Sequence, residues 1–115
     1  VLARANRVVH PADFRAVVRR GRRTTTASAV YHRLPTDPAA PARFGVVVSK
    51  AVGIAVDRNL VRRRLKALGR SFVDAGLRGE DIVIRVLPGD AHRSWDSLSA
   101  DMHAVLDAPD GKVTR

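Results

Sequence analysis

From residue 58 to residue 70 the chain reads Arg-Asn-Leu-Val-Arg-Arg-Arg-Leu-Lys-Ala-Leu-Gly-Arg. On a helix turning about 100° per residue, with Arg58 at zero, Arg62 falls near 40°, Lys66 near 80°, Asn59 near 100°, Arg70 near 120° and Arg63 near 140°. These cations and the amide share one face, while Arg64 falls outside it. Val61, Leu65, Leu68 and Phe72 cluster between about 280° and 340°, which makes them the buried stripe. Guanidinium groups donate parallel hydrogen bonds to phosphate, and Asn both donates to and accepts from a sugar or base edge. Like charges at this spacing repel by roughly 0.2–0.5 kcal/mol per pair. No acid stands between Asp57 and Asp74 to relieve that repulsion. An ordinary solvated helix face interleaves Glu with Lys, so this one points to a polyanionic ligand.

Other chemistries find little support. The chain has no cysteine, which excludes disulfides, thiolate nucleophiles, Cys-ligated zinc and iron–sulfur clusters. No Ser, His and Asp residues form a nucleophile motif, and none stands out as a general base. His10, His92 and His103 lack metal-ligand spacing and read as surface residues, while Tyr31 and Trp95 read as packing. Gly53 reads as a turn before the helix, with no phosphate-loop motif around it. The acids between residues 74 and 110 read as a solvated helical and loop surface.

The elements that must position the basic face can be sketched from punctuation and period. Pro11 to Arg20 predicts a helix with Pro at its first position, Asp13 in the first turn, basic residues in the last and Gly21 beyond. Arg22 to Thr26 reads as a basic connector and 27–34 as a strand, with room for a further strand within 22–34. The proline-rich stretch 35–41 is a turn. Residues 43–49 predict a β-branched strand, 55–75 the long helix closed by Gly76, 82–87 another strand, and 94 or 95 to 106 a last helix. Residues 1–10 form a basic arm, and 109–115 a frayed tail. The result is a single α+β domain over 1–115, in the order α-β-β-β-α-β-α, with about four strands in a mixed sheet.

Length and charge agree with one RNA-binding domain. At 115 residues there is room for one modest core, and 45% hydrophobic against 28% charged residues is enough apolar material to fold. The net charge of +10 is unevenly placed. Residues 1–70 hold 16 Lys and Arg against three acids, and residues 71–115 hold five against eight. Of the 21 basic residues 18 are Arg, a bias that suits phosphate recognition and also follows from a GC-rich genome. No apolar run approaches the ~20 residues of a membrane span. Val1 to Arg7 lacks a signal-peptide core, so a cytoplasmic protein without a membrane partner is expected.

The same residues carry a family resemblance. Arg43-Phe-Gly-Val-Val-Val-Ser-Lys50, then Val52-Gly53-Ile-Ala55-Val-Asp-Arg58-Asn59-Leu-Val-Arg62-Arg63-Arg-Leu-Lys66, resembles the signature region of the bacterial ribonuclease P protein subunit. Asn6-Arg7 followed by Asp13-Phe14 and Gly21, Glu80-Asp81-Ile-Val-Ile-Arg85, and Pro88 before the last helix agree with it. The resemblance covers roughly residues 4–106. It implies a left-handed βαβ crossover and a subunit without catalytic residues of its own. Such a subunit binds a catalytic RNA, which with Mg²⁺ removes the 5′ leader from precursor tRNA. Arg58, Asn59, Arg62, Arg63, Lys66 and Arg70 would then face the catalytic RNA. Many relatives carry Arg directly after the Asn, whereas this chain has Leu60, near 200° and off the basic face.

The resemblance also implies a cleft for the single-stranded leader, formed here by Phe14, Val18, His32, Val47, Ser49, Lys50 and Arg85. Val18 and His32 stand where relatives often have Phe and Tyr, so this cleft should rely more on charge than on stacking. His32 can still stack, and would gain a charge below about pH 6.5. Taken alone, Phe14 reads as readily as a core residue. Strand alternation puts Val47 with Ser49, and Val83 with Arg85, each pair on one face. Direct metal ligands are not legible. A ribosomal or other structured-RNA-binding module is the alternative reading. A DNA partner is not expected, because helix-turn-helix spacing is absent.

Overall fold

The computed structural model describes residues 2–89 and 94–107. Its elements are α1 (Pro11–Arg20), β1 (Arg22–Thr25), β2 (Ala29–Pro35), β3 (Arg43–Val47), α2 (Ala55–Asp74), β4 (Glu80–Val86) and α3 (Trp95–Leu106), with 3-10 turns at Arg4–Asn6 and Lys50–Val52. The four strands lie in the order β1-β2-β4-β3. The β1/β2 and β2/β4 pairs are antiparallel and β3/β4 is parallel, so β3, α2 and β4 form a βαβ crossover inside a mixed sheet. This is the α+β architecture and element order expected from the sequence. The frayed tail expected at 109–115 lies outside the described residues.

The basic connector over 22–26 is instead mostly strand. Arg22 to Thr25 pair with Arg33 to Val30. Thr26 closes the hairpin, its N–H donating to the Ala29 carbonyl (2.8 Å) and its Oγ1 accepting from the Ala29 N–H (3.1 Å). An edge strand needs no apolar alternation, which is why Arg-Arg-Thr-Thr carries no strand pattern. The strand expected over 43–49 stops pairing at Val47, and Ser49 precedes the 3-10 turn. β4 begins earlier than expected, at Glu80, because its first two side chains are neutralised. Glu80 accepts from Arg33 Nε and Nη2 (2.7 and 2.8 Å), and Asp81 accepts from Arg43 Nε and Nη2 (2.9 and 2.7 Å). These two acids and Asp101, which accepts from the Ser28 hydroxyl (2.5 Å), are therefore internal partners and not solvated surface.

One face of the sheet packs Tyr31, Phe44, Ile82 and Ile84 against the α2 stripe of Val61, Leu65, Leu68 and Phe72 and against Leu98, Met102, Val105 and Leu106 of α3. Gly69 lets α2 approach closely, since a Cβ there would sit 3.2 Å from the Phe44 ring. Tyr31 is fully buried as expected, whereas Trp95, read as packing, is 43% exposed at the start of α3. On the opposite face α1 covers β2 and β4. There Val8, Val17, Val30 and Val83 are buried but stand apart from the main core cluster. The sheet is thus covered on both faces, and α1 leaves part of its own face open near Val47, which is exposed.

Candidate nucleic-acid interface

The α2 face forms as its period requires. The four apolar residues that seat α2 on the sheet are buried, and this turns Asn59, Arg63 and Arg70 outward, with Arg58, Arg62 and Lys66 partly covered. Asn59, Arg62, Arg63 and Lys66 line a shallow hollow of about 430 Å³ together with Val56. Arg62 Nη1 donates to Asn59 Oδ1 (2.9 Å), which fixes the amide and directs its NH₂ group to solvent. Arg58 Nε donates to the Gly53 carbonyl (3.1 Å), tying that side chain to the turn before the helix. Arg70 does not line the hollow. It is paired with Asp74 (2.9 Å), so its charge is partly spent on α2 itself.

Two apolar residues extend this face and were not singled out from the sequence. Ile54 and Val56 are 68% and 71% exposed at the start of α2. Large apolar side chains this open beside clustered cations offer a base or sugar surface next to its phosphates. Their signal was available in part: at about 100° per residue Val56 falls beside Arg63 on the basic face, while Ile54 falls in line with the buried stripe but one position before α2 begins.

The leader candidates are only partly gathered. Phe14, Val18 and Val47 line a groove of about 320 Å³ between α1 and β3, together with Arg15 and Arg19. Arg85 pairs in register with Val47, and so stands beside the groove on the same face of the sheet. Phe14 both packs and lines the groove, since its ring lies against Gly45. Ser49 and Lys50 are exposed at the 3-10 turn beyond β3 and do not line this groove. Arg15 and Arg19 were missed, although about 100° per residue places them beside Phe14 and Val18 on α1.

His32 is placed differently from the sequence reading. It is 3% exposed, so its ring is no open stacking platform, and neither ring nitrogen has a hydrogen-bond partner. Burial, then the nearby Arg85 and Arg23 guanidinium groups, hold its pKa below the ordinary 6.5, so it charges at lower pH than expected. His10 and His103 are exposed as expected, and His92 lies outside the described residues.

A divalent cation finds poor donors here. The α2 hollow offers guanidinium and ammonium groups and an amide oxygen already engaged by Arg62. Among the described residues no group of three or more His, Asp and Glu side chains is placed to hold a metal. The arrangement is suited to binding phosphates, sugars and bases.

Comparison with known proteins agrees with the geometry. The family model described as Ribonuclease P matches residues 2–109. The chain is 54% identical over 106 residues to the ribonuclease P protein component of Clavibacter michiganensis, covering 92% of this chain and 94% of that one. It is 41% identical over 116 residues to that of a Nocardioides species, covering 99% of both. Among solved structures, the fold resembles the Staphylococcus aureus RNase P protein with a TM-score of 0.77 at 22% identity, over 90% of this chain and 94% of that one. The Thermotoga maritima RNase P protein gives 0.72 at 20% identity, over 84% and 90%. On the family match and the identity to these relatives, the chain belongs to the ribonuclease P protein family.

Proposed function

We propose that this ribonuclease P protein component binds the catalytic RNA through the α2 face and the 5′ leader of precursor tRNA through the groove between α1 and β3. The observation that carries the reading is the convergence of Asn59, Arg62, Arg63 and Lys66 on one hollow with no acid among them. Such a surface neutralises phosphates and releases their counterions, which is favourable for any RNA and strongest for a folded one that presents several phosphates at once. The groove adds a ring and two valines between Arg15 and Arg19, a pattern that suits a flexible single strand.

In this reading the phosphodiester hydrolysis belongs to the RNA subunit, and the protein contributes position and charge. Mg²⁺ belongs with the RNA, because the protein surfaces that face it are cationic. On the same reading the protein works in the cytoplasm, together with its RNA partners. The test is cleavage of precursor tRNA at low Mg²⁺ by a bacterial catalytic RNA, with and without this protein. Stimulation that depends on the 5′ leader supports both sites. Unchanged cleavage and unchanged leader-dependent affinity reject the assignment. Co-sedimentation with ribosomal subunits in place of stimulation would support the structured-RNA alternative.

A further inference from the structure

At the end of the sheet away from Arg85, the start of β1, the end of β2 and the start of β4 surround a hollow of about 810 Å³. Arg20 from the last turn of α1, Arg22 from β1 and Arg78 from the turn before β4 line it, with Arg33 and Glu80 among its other residues. Glu80, the acid of that lining, is held by two hydrogen bonds from Arg33. Neither Arg20, Arg22 nor Arg78 pairs with a carboxylate among the described residues, and all three are exposed. Arg78 keeps only a long contact to the Ala39 carbonyl (3.5 Å).

Two of these arginines have a local structural use taken singly. Arg20 opposes the negative end of the α1 dipole, and Arg22 blocks the free edge of the sheet. Neither use requires them to meet Arg78, which arrives from more than 50 residues away along the chain. A concave surface with three guanidinium groups and a neutralised acid focuses a positive potential, and planar donors at its rim match phosphate oxygens. The Thr36 hydroxyl, on a residue that lines the hollow, is buried without a hydrogen-bond partner.

We propose that this hollow is a second phosphate-backbone site for RNA, separate from the α2 face and the leader groove, with Arg20, Arg22 and Arg78 as its anchors. From Glu80 to Arg85 the strand spans five residues, about 16 Å at 3.3 Å per residue, so this site and the Arg85 end contact different phosphates. The inference rests on the reading of the protein as an RNA-binding subunit, and it adds an attachment point that lets one domain hold RNA on both ends of its sheet.

The test is the salt dependence of affinity for a transcript of a bacterial ribonuclease P catalytic RNA. Replacing Arg20, Arg22 and Arg78 together by Ala should lower the slope of log K against log[salt] by about 2 to 3, and the loss should add to that of an Arg63→Ala, Lys66→Ala variant. The Arg→Lys triple variant keeps the charge and should keep the slope, which separates ligand contact from folding. An unchanged slope in the Ala variant, or an equal loss in the Lys variant, overturns the proposal. An NMR titration of the full chain with inorganic phosphate distinguishes the source of the anion. Shifts at Arg22 and Thr36 with no change in RNA slope would mark a small-anion site and reject the RNA proposal. The slope is read without cleavage, so a failure to stimulate precursor-tRNA processing would reject the ribonuclease P role while leaving this measurement decisive.

Discussion

The ring of Phe14 lies on Gly45: a Cβ at residue 45 would fall 2.5 Å from Phe14 Cε1 and 2.7 Å from Cζ. The absent side chain lets the first helix set an aromatic ring beside Val47 at the groove. Gly45→Ala should therefore push the ring outward. Because Phe14 is half-exposed and can swing, the cost to stability should be about 1 kcal/mol, at the low end for overpacking. Affinity for precursor tRNA with a 5′ extension should fall while affinity for a leaderless RNA stays. Equal losses for both RNAs, read beside thermal melting, would detach Phe14 from the leader.

Burial separates two ion pairs that look alike in sequence. Arg33 and Glu80 are 6% and 14% exposed, and Arg33 also donates to the Val105 carbonyl (2.8 Å), which ties β2 to α3. Glu80→Ala strands a buried guanidinium and should cost about 3 kcal/mol or more by urea unfolding. Asp74→Ala removes the exposed partner of Arg70 and should cost less than about 0.5 kcal/mol. Similar losses in the two variants would contradict this account.

The contrast shows what the sequence carries. The α2 stripe of Val61, Leu65, Leu68 and Phe72 repeats within one helix, so its burial and the opposite basic face follow from period alone. Glu80 and Asp81 look like surface acids because their arginines lie 47 and 38 residues away, and only strand register brings them together. His32 is the same case: its burial comes from pairing with Arg23 and Val83 and from the helix laid over them. The family resemblance groups Ser49 and Lys50 with the groove, and strand parity adds Ser49 to Val47, but that parity lapses where β3 ends at Val47. Local pattern reports a residue's own element, and long-range register decides its neighbours.

On α2, cations that line the hollow should contribute more to RNA affinity than the one that is paired. Arg63→Ala and Lys66→Ala should each lower the slope of log K against log[salt] by about 1. Arg70→Ala should lower it by less, because Asp74 already offsets part of that charge. Val56→Asp places an anion in the hollow and should weaken binding without disturbing the core, since Val56 is exposed. A slope indifferent to all four substitutions would mean that RNA does not bind this face.

His32 couples folding to pH in a direction that its surroundings determine. Burial first, then Arg85 and Arg23, lower its pKa from 6.5, so the folded chain takes up the proton less readily than the unfolded one. Below about 6.5 the unfolded chain binds the extra proton, and stability falls as pH drops through the window between the two pKa values. Above that window the contribution is fully present. Urea midpoints should therefore decline from pH 7.5 to pH 5, and His32→Phe, which keeps a ring and removes the titration, should decline less. RNA phosphates beside Arg85 and Arg23 offset the two cations, so a bound single strand should raise the His32 pKa, followed through its ring protons by NMR. If wild type and His32→Phe lose stability in parallel across that range, the buried imidazole is not the group that senses pH.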